Sequence, residues 1–250
     1  MLLFYLLWLY KENIISNNDL FTPKLIWKLQ NKLVEDHNID IYFFKDIPKL
    51  DEQGNTISPP VWYRKHAQML AIRGILDANN YYDNYLFRPS DNITREEFFV
   101  SLMKAINWLN IEHETTPAID FSDWNNVLDI NKDFIKELQN RSIIDGHNVE
   151  NQEANILKPK DTINRAEVAK VIVLAFQLIK SDSCIVTFDD VENGQWYTDF
   201  VKIVHCAEIV KGYSNTDGTP TGKFKPSNSA TRAEAFTMLH RAIEQYLEKN

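Results

Sequence analysis

An all-α fold built from a repeated helical unit is what this sequence predicts, and three observations lead there. The stretch "NRAEVAKVI" (164–172) starts like a helix, with Asn164 as N-cap and Glu167 placed to reach back to the cap's own N–H. The same pattern returns as "TREEF" from Thr94 and "TRAEA" from Thr231, which sets arginines at 95, 165 and 232. A proline precedes each arginine by the same six residues, at Pro89, Pro159 and Pro226, inside "FRP", "LKP" and "FKP". Self-similarity at a fixed period marks a repeat architecture.

Taken in chain order, residues 1–40 read as an N-terminal helical extension. "MLLFYLLWLY" is about half the length needed to span a bilayer, and Lys11 and Glu12 end it. With no basic segment before it and no small-residue cleavage site after it, it is an ordinary packed helix, an atypical export signal or an artificial start. "TPKLIWKLQNKLVED" (22–36) follows as a helix with Thr22 as cap and Pro23 in the first position.

Three units come next, at 41–110, 118–181 and 185–247. Each opens on "FKD", "FSD" or "FDD", whose Asp46, Asp123 and Asp190 are expected to cap or turn the chain into a first helix. That helix is expected to run to Ala78, Gly146 or Gly212, the glycines suiting a left-handed terminus. A polar loop, the proline turn and the arginine-led helix complete the unit. The second helices have clear apolar faces: Phe98, Leu102, Met103 and Ile106; Val168, Ile172, Ala175, Phe176 and Ile179; Phe236, Leu239, Ala242 and Ile243. From Val171 to Phe176 the middle one is apolar nearly all round, which predicts burial at the centre. No unit can bury its faces alone, so the three are expected to pack about a common axis.

An arginine beside the positive end of a helix dipole is unfavourable by a few tenths of a kcal/mol. Its recurrence therefore asks what it faces. One answer is structural, a salt bridge to the unit's own Asp46, Asp123 or Asp190. The other is a bound anion.

These landmarks resemble three S-layer homology repeats, the modules that hold surface proteins on bacterial cell walls without a covalent bond. The family's Ile-Thr-Arg-Ala-Glu signature appears as Ile93–Glu97, Ile163–Glu167 and, with alanine first, Ala230–Glu234; "FDDVENGQWYTDFVKIVHCAEIVKGY" (188–213) is close to its pattern in every landmark, including Trp196. The resemblance implies a pseudo-threefold spindle and grooves between neighbouring repeats that bind a secondary cell-wall polysaccharide, often through a pyruvate ketal. A ketal carboxylate between a helix N-terminus with free N–H groups and Arg95, Arg165 or Arg232 would cancel the dipole penalty. The partner implied is a cell-wall polysaccharide or peptidoglycan-linked glycan, with other surface-layer proteins as further partners, and the location is the cell surface. Trp62 and Trp196 either stack on a sugar or belong to the core. Gly146 and Gly212 shape the backbone first and let a ligand approach second. Lys158 and Lys225, beside the turn prolines, add charge to a groove. The sequence departs from the family at the insertion 48–60, at Ala78, at Ile130 where Trp62 and Trp196 stand elsewhere, at Leu157, and at Ser142 and Glu208 where the first unit has Gly74. One or two grooves are therefore expected to bind, the one between repeats 2 and 3 first, with Trp196 in it.

Composition narrows the alternatives. A net charge of −8 and a pI near 5.3 over 250 residues argue against a nucleic-acid partner. Six histidines fall in no metal-ligand spacing, and neither a nucleophile elbow nor a phosphate loop is present, so no cofactor and no enzyme activity are expected. "NTDGT" (215–219) has too few acidic ligands for a calcium loop. Cys184 and Cys206 either pair or stay free; two buried thiols are expected, because Cys206 lies in an apolar helical pattern. Two functions remain: a glycan-binding anchor, or a structural surface-layer protein whose repeats contact protein and no longer bind glycan.

Overall fold

The computed structural model describes residues 44–47, 61–76, 86–117, 120–148, 155–181, 184 and 188–250. The predicted extension at 1–40, the insertion 48–60 and Ala78 lie outside the described residues. Tyr42–Tyr246 forms one compact unit; a second comprises Met1–Ile41 and Leu247–Asn250, of which the end of the last helix is described.

Helices dominate: α1 (Arg64–Ile72), α2 (Arg95–Leu109), α3 (Lys132–Asn140), α4 (Arg165–Ala175), α5 (Thr198–Cys206) and α6 (Arg232–Lys249). Two 3₁₀ turns, Trp124–Asn126 and Asp129–Asn131, lead into α3. The strands β1 (His147–Asn148) and β2 (Asn155–Ile156) form a short antiparallel pair that the all-α reading did not anticipate.

The arginine-led helices begin where the sequence predicts. Asn164 accepts from the Glu167 N–H at 2.8 Å while the Glu167 carboxylate accepts from the Asn164 N–H at 2.9 Å, a complete capping box. Thr231 and Glu234 form the same box. At Thr94 the hydroxyl accepts from the Glu97 N–H, and the Glu97 carboxylate pairs with Arg232. Val171, Ile172, Val173, Ala175 and Phe176 are buried. Ile179, placed on that apolar face by periodicity, is 88% exposed because α4 ends at Ala175 and Gln177 turns left-handed.

Backbone hydrogen bonds join the starts of these three helices in a closed cycle. Ile93 donates to Ala230, Ala230 to Ile163 and Ile163 to Ile93, at 2.9–3.1 Å, and all three side chains are buried. The first-turn N–H groups follow the same cycle: Arg95 and Glu96 donate to Asp161 and Pro159, Arg165 and Ala166 to Asn228 and Pro226, and Arg232 and Ala233 to Asp91 and Pro89. Helix α2 packs on α3, α4 on α5, and α2 on α4.

The aspartates do not cap the first helices, which start at Arg64, Lys132 and Thr198 without a side-chain cap. Each carboxylate instead takes two adjacent backbone N–H groups of its proline turn. Asp46 accepts from Phe87 and Arg88, Asp123 from Leu157 and Lys158, and Asp190 from Phe224 and Lys225, at 2.6–2.8 Å. The first helices also end earlier than expected. Gly74, Ser142 and Glu208 take the left-handed conformation, and Ile75, Ile143 and Ile209 close the helix ends by donating to Leu70, Leu138 and Val204. Cys184 and Cys206 form a disulfide with Cα atoms 5.9 Å apart, which overturns the expectation of free thiols. Cys206 is the last residue of α5 and only half-buried, so its sulfur is free to meet the preceding connection.

Candidate functional site

Each arginine answers the question of what it faces in the same way. Arg95 donates from Nε to the Leu157 carbonyl at 2.8 Å and pairs through Nη1 with Glu167 at 2.9 Å. Arg165 repeats this with the Phe224 carbonyl and Glu234, at 2.8 and 3.1 Å. Arg232 completes the set with the Phe87 carbonyl and Glu97. The partner is thus the capping glutamate of another helix, not the unit's own aspartate. All three arginines are buried, and their guanidinium planes lie over Phe99, over Tyr213 and Phe224, and over Phe87 and Phe236. Burial pulls the Arg95 and Arg232 pKa values down and Glu97 up; the facing charges oppose both shifts.

Two cavities open beside these pairs. The first, about 180 Å³, is lined by Arg95, Gly146, His147, Glu167, Lys170 and Trp196. The second, about 540 Å³, is lined by Trp62, Arg165, Gly212, Tyr213, Glu234 and Arg241. The correspondence is position by position: an arginine pair at the floor, a glycine loop, a helix face and a tryptophan. Trp196 belongs to the cavity of Arg95 and Gly146, and Trp62 to the cavity of Arg165 and Gly212. Neither tryptophan is core. Trp62 and Trp196 are 56% and 54% exposed, each held edge-on by the next residue, Tyr63 or Tyr197, with ring centroids 5.4 Å apart.

The glycines are tightly packed. A Cβ on Gly146, at φ +73°, would collide with Asn155 and come within 2.7 Å of Phe121; one on Gly212, at φ +78°, would lie 2.7 Å from Phe188 and 2.9 Å from the Lys223 carbonyl. Lys158 and Lys225 are exposed left-handed residues whose N–H groups feed the aspartate clamps. Lys158 lines neither cavity, while the Lys225 ammonium lies 4.2 Å from the Tyr213 ring centroid.

Sequence reasoning missed Lys170, His147, Tyr213 and Arg241. Helical spacing held the signal for two of them, since Lys170 shares a face with Glu167 and Arg241 with Glu234 and Thr237. Tyr213 donates to Glu234 at 2.5 Å; burial first, and then that bond, push its phenol up to about 12. Burial first and Arg95 second lower the His147 pKa, so this imidazole is neutral at pH 7.

Residues 56–99 and 187–236 match the S-layer homology domain. The chain carries S-layer homology domains. Over 85 residues it is 41% identical to the surface layer protein of Brevibacillus choshinensis and 40% identical to the middle cell wall protein of Brevibacillus brevis; each match takes in 33% of this chain, with 7% and 8% of those proteins. Exoglucanase XynX of Acetivibrio thermocellus is 32% identical over 188 residues, 74% of this chain and 16% of that protein. The chain thus spans less than a fifth of each of these relatives.

In these S-layer homology domains the helix starts offer an anion less than the resemblance implied. The first-turn N–H groups of α2, α4 and α6 are bonded to carbonyls and caps, and each arginine already has a carboxylate. Further cationic groups stand on the walls, where Lys170, paired with Asp145 at 3.2 Å, faces one cavity and Lys211 and Arg241 the other. Among the described residues no helix is long and apolar enough to cross a membrane.

Proposed function

We propose that this chain is a non-covalent cell-wall anchoring module that binds an acidic, pyruvylated type of secondary cell-wall polysaccharide in the two tryptophan-edged cavities. The observation that carries the reading is the pair of half-exposed tryptophans, each braced by a tyrosine beside a cavity lined by cationic side chains, with a positive excess in the Trp62 cavity. A braced indole offers its face to the apolar side of a pyranose without losing rotamer entropy on binding. Lys170 on one wall, and Lys211 with Arg241 on the other, supply charge for an acidic substituent. Arg95 and Arg165 shape the cavity floors, Arg232 makes the same pair beside neither cavity, and Gly146 and Gly212 hold the tightly packed turns on the walls. Repeats at 41–110, 118–181 and 185–247 then form a pseudo-threefold spindle, with the position of Arg232 and Ile130 as the groove that has lost its tryptophan. The names of the relatives, a surface layer protein and a cell wall protein, support the cell surface as the place of action. The Cys184–Cys206 bridge supports an oxidising compartment.

The internal pairing of all three arginines favours a second reading, a structural surface-layer protein that contacts protein and not glycan. Co-sedimentation with purified wall sacculi, followed by titration calorimetry of the released polysaccharide, separates the two. Arginine-to-alanine variants are unsuited, because each leaves a partly buried carboxylate without its cation. Trp62→Ala and Trp196→Ala are expected to weaken binding roughly tenfold each, from about 1.5 kcal/mol of stacking. Chemical removal of the acidic substituents is expected to weaken it further. No sedimentation, or binding indifferent to both changes, refutes the anchor and leaves the structural reading.

A further inference from the structure

The contact between the first and last helices of the compact unit contains a group of side chains that neither cavity uses. His66 on α1 and His240 on α6, which are 174 residues apart in sequence, meet with Nδ1 atoms 3.0 Å from each other. One turn further along α6, the Glu244 carboxylate lies 3.4 Å from the His240 Nδ1. The three ligand atoms are all within 4.8 Å of one another. The His240 ring is fully buried, and its Nε2 has no hydrogen-bond partner, so its polar engagement is through Nδ1 within this cluster.

From this geometry we infer that His66, His240 and Glu244 form a zinc site joining α1 to α6, with a fourth position open to water. Zinc bonds of about 2.0–2.2 Å in tetrahedral geometry place neighbouring ligand atoms roughly 3.3–3.5 Å apart. The 3.4 Å edge already fits, the 3.0 Å edge has only to open slightly, and the third edge has to close to no more than this range. The surroundings choose the metal. Lys65, Arg73 and Arg241 act on these groups as positive charges against the one carboxylate of Glu244. A hard cation held by charge alone, such as Ca²⁺ or Mg²⁺, is disfavoured there, whereas two imidazoles and a carboxylate suit Zn²⁺.

The test uses the full chain, stripped with chelator, dialysed and titrated with Zn²⁺, Ca²⁺ and Mg²⁺. The expected result is one Zn²⁺ per chain with a raised unfolding temperature, no shift with Ca²⁺ or Mg²⁺, and the intense absorption of four-coordinate Co²⁺ on cobalt substitution. His66→Gln and Glu244→Gln are each expected to weaken Zn²⁺ binding more than about 100-fold, beyond the about 10–100-fold that an outer-sphere partner contributes. The Co²⁺ spectrum of the unaltered chain reads the site even if a variant folds poorly. Failure of the chain to bind Zn²⁺, a weak six-coordinate Co²⁺ spectrum, or affinity unchanged in a folded His66→Gln protein overturns the proposal.

Discussion

Replacing Asp123 with alanine removes the carboxylate that ties the start of the second unit to its proline turn, and the two N–H groups it releases have unequal fates. Leu157 is fully buried, so its N–H, now 2.8 Å from the carboxylate, is left without an acceptor at a cost of about 1–3 kcal/mol. Lys158 is exposed, and its N–H recovers water. The left-handed backbone at Lys158, φ 54°, is also unfavourable for a side-chain-bearing residue by roughly 1 kcal/mol and loses its tether. Together these give a loss of about 2–3 kcal/mol. Divided by a urea slope of about 2–3 kcal/mol per M, that is a fall of about 1 M in the denaturation midpoint. Asp123→Asn keeps one acceptor and is expected to lose about half as much. Asp120→Ala is the control, because that carboxylate meets Lys136 on the surface and is worth at most about 0.5 kcal/mol. If Asp123→Ala and Asp120→Ala have midpoints that differ by less than about 0.2 M, the clamp is not a stabilising contact and the reasoning fails.

Asn164→Ala opens the capping box of α4 and is expected to cost about 1 kcal/mol, read as a lower urea midpoint at unchanged slope. Reducing the Cys184–Cys206 bridge, or Cys184→Ser, is expected to lower stability by about 3 kcal/mol, the loop-closure value for a link across 22 residues; an unchanged melting curve in reductant contradicts this. The raised Tyr213 pKa favours the neutral phenol in the folded state, so its contribution is present below pH 10 and is lost as pH rises towards about 12. Tyr213→Phe should flatten the fall in stability over that range.

Local chemistry made the helix starts legible. Asn164, Thr231 and Thr94 announce themselves through a cap and a glutamate a few residues away, and the structure places α4, α6 and α2 there. What the sequence concealed was which copy of the motif each side chain serves. Glu167 lies two residues beyond Arg165 in the chain, yet it neutralises Arg95, and Glu234 likewise serves Arg165. A repeat makes contacts within one copy and between copies look alike in sequence, so the structural alternative for the arginines named the unit's own Asp46, Asp123 and Asp190 and not the glutamate of another copy. Gly146 and Gly212 were legible as special backbone positions, but the crowding that makes them so comes from Asn155, Phe121 and Phe188, brought there by the fold. The disulfide was missed because helical periodicity spoke for burial of Cys206 and carried nothing about where the connection before α5 would run.

The cycle of arginine–glutamate pairs fixes how many such helices the module needs. In an open solenoid an extra copy stacks on the end and a lost copy leaves a shorter stack. Here Arg95 depends on Glu167, Arg165 on Glu234 and Arg232 on Glu97, so the series returns to its start. Deleting one member would leave a buried guanidinium facing no carboxylate on one side and a carboxylate facing no guanidinium on the other, each worth several kcal/mol. Inserting a fourth would have to break the ring to enter it. Gene duplication can therefore lengthen a chain of this kind by whole modules, but not by single helices.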